Sequence, residues 1–433
     1  MKKIFITIFC FSFFIFSQAQ PPSPVKIQDR ALLLKAGIIH IGNGQIIQNG
    51  SILFENGKII EIGINVNSPT NAEIIDVNGK HIYPGLISPN THLGLTEVDA
   101  VRSTVDYEEV VDFQPNVRSL IAYNTDSEII PTVRSNGILI AQPTPSGGII
   151  SGTSSIVQLD AWNWEDAAYK IDDGIHTNFP SMYRRAGFFD EGSAIIKNEN
   201  RIKIINEIDK TFSEALAYSK ISNHDVINLK FEAMRGLFDG TKNLYVHADY
   251  GKEIIESIKL FKSKEIKKIV LMGGDDAWQV TDFLKENNIS VILSSLHRLP
   301  TRSGDDVDMP FKIPALLHKA GILVSLSYAD GRDPMGSRNL PFLAGTASAH
   351  GLTKEEALSM VTLNTAKILG IETQTGSLEK GKDANIVVSD GDILDMKTNN
   401  ITYAFIQGRK ITLDDRNKRL YRKFSEKFEK KKE

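Results

Sequence analysis

Short apolar runs broken by turn residues mark the chain from Ala31 to Asp76: Ile38 to Ile41, Gly42-Asn43-Gly44, Ile52 to Phe54, Asn56-Gly57, then Ile59 to Ile62. An Asn-Gly pair between two such runs is a strong hairpin signal, because a tight hairpin turn needs positive φ at both central residues. The far end has the same character, with Ala384 to Val388 and Ile401 to Gln407 as strands and Gly408 as the turn before Lys410 and Ile411. Two β-rich ends around a mixed middle predict a small β-sandwich built from residues 20–83 and 371–415, with a large domain inserted over 84–370.

In that middle, apolar runs alternate with helical spacers such as Lys252 to Phe261 and Trp278 to Glu286. Strands are expected at Ile82 to Ile87, Ile138 to Gln142, Ser154 to Leu159, Ile175 to Phe179, Leu244 to His247, Ile269 to Met272, Val291 to Ser294 and Ile322 to Ser327. Eight such runs fit an α/β fold, a TIM-like parallel (β/α)8 barrel. Beyond it, over 416–433, Leu420, Phe424 and Phe428 recur every fourth residue among nine basic and three acidic residues, which predicts a basic amphipathic helix. That helix either packs on the barrel with a solvated basic face or docks on a membrane surface or a partner.

The opening residues differ from all of this. Lys2 and Lys3, an apolar run from Ile4 to Phe16 and the small-residue exit Ser17-Gln18-Ala19 have the layout of a signal peptide spanning 1–19. The run is shorter than the ~20 residues needed to cross a bilayer, so export to the periplasm or medium is expected, without an integral membrane segment in the mature chain. Cys10, the one cysteine, falls in this leader, so the mature protein has no disulfide, thiolate ligand or cysteine nucleophile. Losing Lys2 and Lys3 leaves 48 basic against 53 acidic residues, a net of −5, which argues against a nucleic-acid partner. No Gly-rich phosphate loop opens a helix, so no organic cofactor is expected.

Three segments carry a family resemblance. Pro84-Gly85-Leu86-Ile87-Ser88-Pro89-Asn90-Thr91-His92 resembles the first barrel strand of the amidohydrolase superfamily, which ends in an aspartate followed by a His-x-His pair. Gly376 to Asn385 resembles the segment by which such chains re-enter their sandwich, and Ala357 to Gly370, with Thr362, Asn364, Ala366 and Leu369, resembles the helix before it. The likeness spans Gly37 to Arg409, in the order of the imidazolonepropionase-like branch.

What the resemblance implies is a hydrolase using one or two divalent ions at the C-terminal mouth of the barrel. Two imidazoles two apart on a strand point the same way and clasp an ion, whose bound water attacks an amide carbonyl. A carboxylate at the end of the last strand then moves the proton. In this chain Asn90 replaces the first histidine and Ser88 the aspartate, while His92 remains. His247, in Tyr245-Val246-His247-Ala248, matches the fifth-strand ligand, and Asp330 matches the proton carrier and also counts as a ligand. The sixth strand, Leu271-Met272-Gly273-Gly274, has no histidine, and no lysine for carbamylation stands out on the fourth. His92, His247 and Asp330 are thus the expected site for one zinc, iron or manganese ion, with Asn90 as a weak oxygen donor and His176 as a weak substitute imidazole. A histidine at a strand end is also commonly just a hydrogen-bonded polar residue, which is how we read His40, His81, His224, His318 and His350.

Arg298 and Arg302 after strand seven, and Arg332 and Arg338 after strand eight, sit where barrels often grip carboxylates or phosphates. The alternative is ion pairing with Asp305, Asp306, Asp308 and Asp333. Trp162, Trp164, Phe179 and Tyr183 either line a pocket or fill space beneath a loop. Two functions remain open. One is an exported hydrolase of C–N bonds acting on a small amide or peptide-like substrate. The other is an inactive barrel without ions, working as a binding subunit in a homo-oligomer or with a metal-complete relative.

Overall fold

The computed structural model describes residues 23–185, 195–294, 296–302, 304–328 and 334–429. The leader 1–19, together with Asp330, Arg332 and Asp333, lies outside the described residues.

Both chain ends contribute to one eight-stranded sheet. Its hub is Leu32–His40, which pairs antiparallel with Ile46–Glu55 on one side and parallel with Glu73–Asp76 and His81–Pro84 on the other. His81–Pro84 then carries Ile386–Ser389, Ile401–Ile406 and Arg409–Lys410 from the C-terminal end. The Asn56-Gly57 turn takes φ of 51° and 78°, and Gln407-Gly408 takes 47° and 73°, the positive pairs that two-residue hairpins need. The ladder is continuous where the sequence led us to expect a sandwich of sheets, and it folds over on itself. Ile46–Glu55 and Ile401–Ile406 are four ladder steps apart, about 19 Å in a flat sheet. Phe54 and Phe405, one on each, nevertheless meet edge to face at 5.1 Å.

The second eight-stranded sheet is the barrel, ordered as the chain runs: Leu86–Thr91, Ile138–Pro143, Ile150–Gln158, Ala168–Asn178, Asn243–Ala248, Ile269–Gly273, Ser290–Leu293 and Val324–Leu326. It corrects the sequence reading in three places. The first strand starts at Leu86, because Ile82 to Pro84 belong to the other sheet. Gly85 joins the two, and a Cβ there would sit 2.7 Å from Leu139. The third strand runs antiparallel to both neighbours. Its entry loop, residues 144–149, is too short for the dozen or more residues of a parallel crossover, and Gly147 and Gly148, both at positive φ, turn the chain straight back. Third, the helix expected over Ala357 to Gly370 is two, Lys354–Ser359 and Leu363–Leu369. The break between them stitches the barrel seam: Leu326 N–H donates to the Met360 carbonyl at 3.1 Å and Ile87 N–H to the Val361 carbonyl at 2.9 Å.

Leu363–Leu369 plugs the N-terminal end of the barrel. Ala366, Ile368 and Leu369 pack with the interior residues Ile87, Ile140, Ile156, Tyr245, Val270, Met272 and Ile292. Asn243 and Asn364 add side-chain to backbone bonds across that end. With one end sealed, the polar interior faces the other. Of the aromatics considered above, Phe179 is buried and Trp164 packs on the core, whereas Trp162 and Tyr183 are exposed.

Candidate functional site

A chain of buried polar groups crosses the barrel from strand to strand. Ser154 on the third strand donates to Asp173 Oδ1 on the fourth at 2.8 Å. His176 Nε2 lies 3.0 Å from Ser154 Oγ, and His176 Nδ1 lies 3.0 Å from His247 Nε2 on the fifth. Asp173 also accepts from Tyr245 Oη at 2.6 Å and Gln142 Nε2 at 2.9 Å. Asn243 donates to Tyr245 Oη, and Gln142 Oε1 accepts the backbone N–H of Asn90. Burial pushes the Asp173 carboxyl up, but its three donors are what an ionised carboxylate requires.

Those donors set the tautomers. Ser154 spends its proton on Asp173, so His176 Nε2–H donates to Ser154 and His176 Nδ1 accepts from His247 Nε2–H. Among the described residues, the lone pair left on His247 Nδ1 has no hydrogen-bond partner. Burial, and then the charge of nearby His92, lower His247 to about 4, and burial lowers His176 further below its ordinary value, so both rings are neutral at pH 7. This corrects the reading of His176 as a ligand: both its nitrogens are spent on protein partners, and it positions His247 from behind.

The remaining expected residues are placed differently. His92 follows the first strand, its ring stacked on Tyr107 at 4.0 Å. Asn90 has φ of 50°, which breaks the strand alternation that a clasp between positions 90 and 92 relies on. Ser88 Oγ is buried with no hydrogen-bond partner among the described residues. On the sixth strand Gly273 has φ of 89°, and a Cβ there would lie 2.4 Å from Asp249 Oδ1. The space where a sixth-strand ligand would begin is therefore taken by a carboxylate that sequence reading missed. Loss of hydration beside the neighbouring carboxylates, and then the charge of Asp275, push the Asp249 carboxyl above its ordinary value. Its one sequence signal was position: it lies two residues past His247.

Among the described residues, two of the arginines, Arg298 and Arg302, are committed to ion pairs. Arg298 pairs with Asp275 at 2.6 Å, and Thr301 donates to the same carboxylate. Arg302 forks onto Asp276, reaches Asp305 at 3.8 Å and lies over the Tyr250 ring. The main partners of these two thus come from the sixth-strand end, and among the described residues Asp305 is the one expected acid that takes part. Arg338 sits in a 3-10 turn, Pro334–Asn339, with its carbonyl bonded by Asn136. Because Asp276 is buried and would keep only the Gly251 N–H and Gln279 as donors, Arg302→Ala is expected to cost about 2 kcal/mol of stability by removing its charged partner, read as a lower urea midpoint. A purely substrate-binding Arg302 would leave the midpoint unchanged.

Among the described residues no group of three His, Cys, Asp or Glu side chains is arranged to hold a metal ion. A two-ion centre does not fit, since Asn90 is turned and Asp249 fills the sixth-strand place. A single ion has two described donors, His92 and the free Nδ1 of His247, which is oriented from behind as metal-binding imidazoles are.

An eight-stranded barrel with histidines at the carboxyl ends of its first and fifth strands defines a class, the barrel proteins that place their chemistry at that mouth. The model of the amidohydrolase family matches residues 82–411, and the chain belongs to that family, whose members typically use divalent metal ions. It is 23% identical to imidazolonepropionase of Geobacillus kaustophilus over 384 residues, covering 79% of this chain and 84% of that one. It is 22% identical to 5'-deoxyadenosine deaminase of Methanobrevibacter smithii over 369 residues, covering 79% and 80%. Among solved structures, an amidohydrolase from Thermotoga maritima superposes with a TM-score of 0.76 at 24% identity, covering 88% of this chain and 99% of that one.

Proposed function

We propose that this protein is an exported hydrolase of C–N bonds in small amide or dipeptide-like substrates, working at the barrel mouth with one divalent ion. The observation that carries the reading is His247, a neutral imidazole locked in one tautomer by a buried relay, with Nδ1 left as a donor. Holding several polar groups inside a barrel sacrifices apolar packing, and a structural role does not need one lone pair left over. Family membership and relatives that act on C–N bonds support the same reaction class. His92 and His247, with Asp330, would hold the ion. When bound, it supplies a water acidified to near neutrality. The chain's own part is to keep His247 neutral and aimed, and to move a proton to the leaving nitrogen at Asp330.

A second reading, an inactive binding subunit or partner of a metal-complete relative, is favoured by one observation: Asp249 fills the sixth-strand place. Elemental analysis of the chain from Gln20, purified without chelator, separates the two. About one equivalent of zinc, iron or manganese that is lost in His247→Ala supports the hydrolase and opens a screen of amides and dipeptides. No retained ion, after incubation with each metal, sinks it. Export rests on the 1–19 leader, and a mature N-terminus at Gln20 is the expected result of sequencing the secreted protein.

A further inference from the structure

The helix Arg416–Glu429 contains no buried residue. Leu420, Phe424 and Phe428, spaced every fourth residue, form with Tyr421 one stripe that is 39, 49, 59 and 75% exposed. An open groove follows the stripe from Asn417 to Glu429, lined by the helix alone. Among the described residues only the start of the helix is tied down: Arg419 pairs with Glu128 at 2.6 Å, Arg422 with Asp414 at 2.8 Å, and Lys418 donates to the Leu413 carbonyl. Leu420 borders a cavity shared with Ile129, Pro334 and Met335. Among the described residues neither Lys423 nor Lys427 has a carboxylate partner. On the helical wheel both flank the apolar stripe, within roughly 60° of Leu420.

Charge identifies the occupant. Residues 416–433 hold nine basic and three acidic side chains, leaving 39 basic and 50 acidic for residues 20–415. The body is therefore at −11 and this segment at +6. Two copies pairing through the stripe would bring like charges together. An anionic bilayer accepts both features at once, the apolar stripe at the acyl boundary and the flanking cations on phosphates.

We propose that the helix Arg416–Glu429 docks this protein on an anionic phospholipid surface, with Leu420, Tyr421, Phe424 and Phe428 inserted and the flanking lysines on the headgroups. The test is co-sedimentation of the chain from Gln20, without the apolar leader that would itself enter bilayers. The vesicles are phosphatidylcholine alone or mixed with phosphatidylglycerol. Binding to the mixed vesicles only is expected, and it should fall away in about 1 M salt, where screening shortens to about 3 Å. Lys423→Ala with Lys427→Ala should lower partitioning about 30-fold, and Phe424→Ser with Phe428→Ser should abolish it. None of these four residues is buried, so the melting temperature should stay unchanged and certify the fold. Equal binding to neutral vesicles, or anionic binding indifferent to both double variants, overturns the proposal. So does tail-dependent dimerisation in light scattering without vesicle binding.

Discussion

Asp173→Ala is expected to destabilise the protein by about 3–5 kcal/mol, the range for removing the charged partner from a buried, hydrogen-bonded group. Asp173 accepts from Ser154, Gln142 and Tyr245, all buried, and each loses its charged acceptor at once. Tyr245→Phe removes one of the three bonds and should cost about 1–2 kcal/mol. Urea unfolding followed by far-UV circular dichroism measures both. A loss below about 1 kcal/mol for Asp173→Ala would mean the relay is not held as described. The same change frees Ser154 to rotate, so His176 and His247 lose their fixed tautomers. Metal affinity should then drop by about 10- to 100-fold, the usual effect of removing an outer hydrogen-bond partner.

Gly273→His, which restores the residue type expected at the end of the sixth strand, is expected not to create a ligand. The new side chain would meet Asp249 Oδ1 at its first carbon and would have to adopt φ of 89°, so we expect a loss of about 2 kcal/mol and no gain in bound ion. Combining Gly273→His with Asp249→Ala vacates the place, and isothermal titration with zinc should then show affinity about 10-fold above the parent. Gain in the single variant would show that Asp249 moves aside freely; no gain in the double would show that the sixth-strand position is not part of the ion site.

Parts of the candidate site were visible in residue order. His92 and His247 were picked out because the motifs around them matched the family. His176 was noticed too, but as a ligand, because a sequence does not tell which ring nitrogens are spent. Asp249 was missed, because its role depends on the emptiness at Gly273, 24 residues away and on another strand. Arg298 and Arg302 find their main partners elsewhere than among the acids nearby in sequence for a similar reason. Nearby acids in sequence compete with acids brought close by strand pairing, and Asp275 and Asp276 win because strands six and seven end side by side.

By itself the sequence determined the periodic features. The Asn-Gly hairpin, the positions of eight apolar runs, the pairing of both chain ends and the basic stripe of the tail follow from local φ preference and from which side chains avoid water. Tertiary structure alone decided what depends on proximity without periodicity. That includes the reversal of the third strand, where a short loop overrides the parallel expectation, and the seam closed by Met360 and Val361. It also includes the relay from Asp173 to His247. Its members come from the third, fourth and fifth strands and are up to 93 residues apart, and only the closed barrel places their donors and acceptors within hydrogen-bonding distance.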